Sequence, residues 1–214
     1  MVMRAPSARV IREQTIRRSR FVGIVCPFSF QMDIKGLVRE LEEAYPRANH
    51  YCWAWRISHP REDGNASDAG EPSGTAGRPI QHALAGSGLT QAAVVVVRYF
   101  GGIKLGVRGL IEAYGGTAAL ALEGVEPELL EVCGLLHLEL PYDRADVFRH
   151  WWTKQGYSPE VLLWEYSESI TLQAPLPVTD YTAWEAFRET LAPHGSLTWS
   201  LGEERLRRTP RMDG

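Results

Sequence analysis

Hydrophobic positions along the chain change period several times, and each change marks an element. Between residues 9 and 26, Val10, Ile11, Ile16, Phe21, Val22, Ile24 and Val25 recur among polar residues, which predicts extended structure. Arg17, Arg18 and Arg20 interrupt this run, so it reads as a hairpin or a bent strand. Asp33 suits a helix N-cap; behind it Leu37, Leu41 and Ala44 repeat at helical spacing and stop before Pro46. His50–Ile57 (HYCWAWRI) alternates and is rich in aromatics, a strand pattern. Residues 58–76 are dominated by Gly, Pro, Ser, Asp and Asn and read as a long exposed loop. Pro79 fits the first turn of a helix reaching about Ala85. Residues 92–100 read as a buried strand, and residues 109–122 return to helix.

The second part repeats a different order. A strand is expected at 135–140, a helix at 143–154, strands at 160–166 and 168–174, a helix at 180–191 stopped by Pro193 and Gly195, and a last strand at 196–201. This β-α-β-β-α-β order is the ferredoxin-like split pattern. The fold class is therefore α+β with two domains, at 1–126 and 127–204, followed by a frayed polar tail at 205–214.

Composition narrows the class. A chain of 214 residues accommodates one large domain or two small ones. No apolar run approaches the ~20 residues of a membrane span. The start, MVMRAPSARV, lacks the apolar core of a secretion signal. Cys26, Cys52 and Cys133 are odd in number and form no CxxC pair, which argues against a disulfide framework or zinc site and for the cytoplasm. The net charge of −3 conceals an asymmetry: 15 Lys+Arg face 11 Asp+Glu through Gly124, and 8 face 15 from Val125 onward. A polyanion partner therefore suits the first part only, unless the basic residues are simply solvated surface.

Two glycine-rich segments carry the candidate chemistry. In AGEPSGTAGRPI, Gly70, Gly74 and Gly77 punctuate a loop that opens a helix. A helix start presents free N–H groups, and Ser73, Thr75 and Arg78 add donors, which would cradle a phosphate. Glu71 would repel an anion unless it pairs with a cation, and the glycines equally suit a plain tight turn. The loop is not a Walker A motif. In VVVVRYFGGIKLGVRG, Arg98 precedes the Gly101–Gly102 break, and Lys104 and Arg108 lead into the next helix. Lys104 would meet an anion there, and Tyr99 and Phe100 would stack on bases. Alternatively Tyr99 and Phe100 are core, Arg98 pairs with a carboxylate, and Arg108 pairs with Glu112 four residues on. His50 and Cys52 share a strand face, as a Cys–His nucleophile pair would, although structural packing suits them better. Asp63, Asp68 and Glu71 match no metal-loop spacing. No catalytic residue, cofactor or metal is expected.

The chain resembles the YigZ/IMPACT family, as a bacterial two-domain member. The resemblance rests on His50–Cys52–Ala54 with Trp55–Arg56–Ile57, on GEPSGTAG from Gly70 to Gly77, on VVRYFGGIKLG from Val96 to Gly106, and on Gly109–Leu110 and Ala113–Tyr114. It covers roughly the first 120 residues. It implies an N-terminal α/β domain like domain IV of elongation factor G, and a ferredoxin-like C-terminal domain like that factor's last domain. It also implies a link to translation, since eukaryotic members restrain the starvation-activated kinase that phosphorylates initiation factor 2. Asp68–Ala69 stands where the family usually has two acidic residues. Arg108 stands where it tends to have a small residue, and Glu112 where it tends to have arginine.

The expectation is a non-enzymatic, translation-associated regulator that binds RNA or the ribosome. Its face would comprise Gly70, Glu71, Ser73, Gly74, Thr75, Gly77, Arg78, Arg98, Tyr99, Gly101, Gly102, Lys104 and Arg108, with Arg17, Arg18 and Arg20. The alternatives are an enzyme acting on a phosphorylated small molecule or nucleotide, and a regulator with a protein partner. No membrane partner is expected.

Overall fold

The computed structural model describes residues 2–191 and 197–212. The chain divides into one unit of Met3–Glu128 and a second beginning at Leu129. The first unit holds strands β1 (Met3–Pro6), β2 (Val10–Ile16), β3 (Ser19–Pro27), β4 (His50–Ile57), β5 (Asp63–Ser67) and β6 (Ala92–Tyr99). Its helices are α1 (Ile34–Ala44), α2 (Gly77–Gly86) and α3 (Gly106–Glu123).

The valine run of β6 explains this unit. Five strands form an antiparallel sheet in the order β2-β3-β6-β4-β5, which puts β6 at its centre. Val94 and Val96 face a cluster with Ile80 and Leu84 of α2 and Leu110, Tyr114 and Ala118 of α3. Val95 and Val97 face the opposite cluster with Leu37 and Leu41 of α1. A strand covered on both faces needs apolar residues at every position, which is why the run does not alternate. Asp33 caps α1 as expected, accepting from the backbone N–H groups of Lys35 at 3.0 Å and Gly36 at 3.1 Å.

The second unit is built on β7 (Pro127–Leu140), α4 (Tyr142–Lys154), β8 (Leu163–Tyr166), β9 (Ile170–Pro177), α5 (Tyr181–Leu191), β10 (Thr198–Leu201) and β11 (Arg205–Arg208). Antiparallel pairing in the order β10-β7-β9-β8 gives the ferredoxin-like sheet. Phe148, Trp152 and Trp184 from the helices pack with Leu136, Leu138 and Leu172 from the strands. The helix stop expected at Pro193 and Gly195, and the strand start at Ser196, lie outside the described residues.

Three expectations are corrected. The loop at 58–76 contains β5, which pairs with β4 from Trp53↔Ser67 to Ile57↔Asp63; its sequence, DGNAS, has no apolar alternation because it is an edge strand. The first strand of the second unit begins near Pro127 and not at 135, because buried Glu131 occupies an inward position and breaks the apolar pattern. The polar tail is not frayed. β11 pairs with β7 from Arg205↔Cys133 to Arg208↔Leu130. Arg211 then reaches the carboxylates of Asp180 at 2.7 Å and Glu131 at 3.4 Å.

Candidate functional site

The antiparallel order brings several loops to one end of the first sheet. There β3 begins opposite the last residues of β6 (Arg20↔Tyr99), and β4 begins opposite Arg98 (His50↔Arg98). β5 and β6 both run toward this end, so the loops that follow them, and the starts of α2 and α3, gather here. The β2–β3 turn joins them through close backbone packing. A Cβ on Gly101 would lie 2.0 Å from the Arg18 carbonyl oxygen, so glycine is required. Gly77 packs in the same way on the Ser67 backbone, with 2.8 Å to a Cβ. Both glycines are therefore used for packing inside the protein and not for approach to a ligand.

The phosphate cradle expected at the start of α2 is already filled. One Asp68 oxygen accepts from the backbone N–H groups of Ala76 (2.9 Å) and Gly77 (2.8 Å), and the other from Gly74 (2.8 Å). Burial alone would raise the Asp68 carboxyl; these three donors and nearby Arg78 outweigh it and hold the group below its ordinary value. Thr75 is buried, and its hydroxyl donates to the Pro72 carbonyl at 2.6 Å. Among the expected donors, Ser73 and Arg78 remain exposed.

Arg98 is likewise engaged: of its two expected readings the structure takes the pairing with a carboxylate, which corrects its place among the anion ligands. Its guanidinium donates to Glu71 Oε1 at 2.5 Å, and the two side chains are only 6% and 4% exposed. The same oxygen accepts from the Tyr114 hydroxyl at 2.7 Å, and His50 Nε2 lies 3.8 Å away. Arg98 also lies between the rings of Phe21 and Phe100, each 5.4 Å from its guanidinium carbon. Burial above all, then Cys52 and Glu71, pushes the Tyr114 phenol far above its ordinary range, so it is a donor at neutral pH. The cluster is a latch: it fixes the loop that carries Gly70 and Gly74 to the end of β6.

His50 and Cys52 join this latch and form no nucleophile pair. His50 Nδ1 lies 3.0 Å from the Ala69 carbonyl oxygen, and Cys52 Sγ donates to the Asp68 carbonyl at 2.9 Å. The thiol is fully buried, and burial pushes it up to about 12. Cys26, Cys52 and Cys133 are all free and buried. No group of three His, Cys, Asp or Glu residues suited to a metal occurs among the described residues.

The remaining expected residues lie on the surface of the loop end. Arg17 and Arg18 form the β2–β3 turn, with φ of 45° and 67°. Arg17, Arg18, Arg78 and Lys104 are exposed, and among the described residues none is within ion-pair distance of a carboxylate. Arg20 pairs with Glu13 at 2.7 Å and lies over the Tyr99 ring, and Arg108 pairs with Glu112 at 2.8 Å. Tyr99 itself packs toward the α1 face and is no stacking platform beside Arg98. Phe100 is 44% exposed, with the Arg98 guanidinium over its ring. Gly102 turns the following loop with φ of 86°, and α3 starts at Gly106 behind Leu105, which supplies no side-chain cap.

Sequence reasoning did not assign Tyr114 to the site. Its signals were its place in the Ala113–Tyr114 part of the family resemblance and its position between small residues on a helix facing the sheet.

Known proteins resemble this chain in sequence and fold. The Impact N-terminal domain model matches residues 17–122. An IMPACT family member of Haemophilus influenzae is 34% identical over 193 residues, 89% of this chain and 91% of that protein. The IMPACT family member YigZ of Escherichia coli is 40% identical over 119 residues, 55% of this chain and 58% of that protein. A crystal structure described as that of a hypothetical protein shares the fold with a TM-score of 0.63 and 28% identity, covering 95% of this chain and 98% of that one.

Proposed function

Because the chain belongs to the IMPACT family, we propose that its N-terminal unit binds the phosphate backbone of RNA, free or within the ribosome, as a non-enzymatic, cytoplasmic regulator associated with translation. The observation that carries this reading is the set of four exposed cations, Arg17, Arg18, Arg78 and Lys104, gathered at one end of the sheet with none within ion-pair distance of a carboxylate among the described residues, although Arg78 lies near enough to Asp68 to favour its charge. Charge already neutralised inside the protein releases no counterions from RNA; free charge does. Phe100 adds an exposed ring on which a base can stack. The phosphorylated-ligand alternative loses its main support, since Asp68 fills the α2 cradle and Glu71 holds Arg98.

Binding to ribosomes and to a short single-stranded RNA at about 50 and 200 mM salt tests this reading. The variant is Arg17→Asn/Arg18→Asn/Lys104→Gln, which removes charge where asparagine tolerates the positive φ of the turn. Arg98 is left in place, because its loss would release Glu71. The expected result is salt-sensitive binding whose logarithmic slope falls by about 2 in the variant, three contacts at ~0.7 each. Salt-independent binding would favour a protein partner instead, and absence of binding at low salt would refute the proposal.

A further inference from the structure

A groove of about 460 Å³ lies beside the exposed cations, between the end of β2 and the first turns of α3. Its floor is Ile16, Leu105, Gly109 and Ala113, and its rim is Arg17, Arg108 and Glu112. Leu105 covers the Gly109 position, its Cβ 3.2 Å from where a Gly109 Cβ would stand, and Ala113 is buried behind it, so half-buried Ile16 and Leu105 supply the accessible apolar surface. The volume falls in the range of small-ligand clefts, roughly 300–1,000 Å³. Apolar floor, cationic rim and a single carboxylate wall together describe a site for a flat, polar-edged ring attached to phosphate.

We propose that this groove holds a guanine base of an unpaired RNA segment; this rests on the RNA reading above. Glu112 decides the base. An ionised carboxylate only accepts hydrogen bonds, through two oxygens side by side. Guanine presents two adjacent donors on one edge, N1–H and the 2-amino group. Adenine and cytosine each place a ring acceptor beside their amino group, which would face the second oxygen. Uracil has one N–H between two carbonyls. Glu112 now pairs with Arg108 at 2.8 Å, but the two side chains are 64% and 93% exposed. Such a pair opens at little cost. The base then takes the carboxylate, and Arg108 and Arg17 turn to the phosphates on either side. A duplex cannot use the site, because its guanine edge is already paired.

The test compares oligouridine carrying one central guanosine with the same strand carrying one adenosine, by fluorescence anisotropy. A parallel titration with guanosine or adenosine monophosphate follows the Gly109 and Ala113 amides by NMR. The expected preference for the guanosine strand is about tenfold, the size of a good bidentate base contact. Glu112→Gln should bring the ratio to about 1, while plain oligouridine binds at least as tightly as before, since the substitution frees Arg108 for the phosphates and removes a negative charge from the groove. RNA binding with no guanosine preference in the unmodified protein, or a preference that survives Glu112→Gln, overturns the pocket and leaves the RNA reading standing. A guanosine monophosphate shift without RNA binding supports the pocket and overturns the RNA reading. Neither signal overturns both.

Discussion

Replacing Glu71 by alanine removes the carboxylate on which Arg98, Tyr114 and His50 converge. Arg98 is then left buried, its side chain 6% exposed, with its Nε already lacking a partner among the described residues. The rings of Phe21 and Phe100 stay in place and do not replace a counter-charge. Breaking a buried ion pair from one side costs about 3–5 kcal/mol, against less than about 1 kcal/mol for an exposed pair. The loss is therefore expected near 3–5 kcal/mol in the first unit. Total fluorescence reports it poorly, because Trp151, Trp152, Trp164, Trp184 and Trp199 all belong to the second unit. Hydrogen exchange at the Val94–Val97 amides of β6, through a urea series, measures the right unit. Arg98→Met closes the cycle: it keeps most of the volume and removes the charge. The double variant should be more stable than Glu71→Ala alone by at least about 1 kcal/mol, since no unpaired charge remains. A Glu71→Ala loss below about 1 kcal/mol, or a cycle additive within about 0.5 kcal/mol, would refute the latch.

Two further outcomes follow from half-buried Asp68 and buried Glu131. Asp68 is held below its ordinary value of 3.8, so its stabilising effect is full above that pH and fades as pH falls through the depressed value. Asp68→Asn should cost about 0.5–2 kcal/mol at neutral pH, like the loss of a helix cap, and urea unfolding should show this gap closing below about pH 4. In the second unit, Arg211 neutralises Glu131, which is 2% exposed and also accepts from the Thr209 hydroxyl at 3.0 Å. Arg211→Ala should destabilise that unit by about 1.5–3 kcal/mol in urea unfolding followed by tryptophan fluorescence, while truncation of a frayed tail residue would change nothing.

Most of the fold was legible because its signals are local. The alternation of HYCWAWRI, the doubly buried valines and the Asp33 cap each depend on residues a few positions apart, and each element was expected where it stands. The elements that were missed depend on distant partners. β5 is polar and becomes a strand only because β4 supplies its ladder. β11 is RLRR, which reads as tail until β7 and the Glu131–Arg211 pair hold it. The site followed the same division. That the two glycine segments belong together was readable from their chemistry. Which cations stay free was not, since Glu71 and Arg98 are 27 residues apart and meet only through the sheet.

This division between engaged and free charge changes how the motif residues are to be tested. Asp68 closes the start of α2, and Glu71 takes the one arginine that the central strand carries. Both carboxylates spend their charge inside the protein, where they fix the loops that follow β5 and β6. Of the cations offered outward, Arg78 stands in the first turn of α2, Lys104 on the loop after β6, and Arg17 and Arg18 on the β2–β3 turn that packs against Gly101 of that loop. Binding from a rigid frame loses less conformational entropy than binding from mobile loops, so the buried latch would strengthen a surface it meets only at Phe100. Loss of binding in a Glu71 or Arg98 variant would therefore say nothing about contact, because the surface loses its shape with the latch. Loss in Arg18→Asn or Lys104→Gln, with β6 exchange unchanged, would place the contact itself.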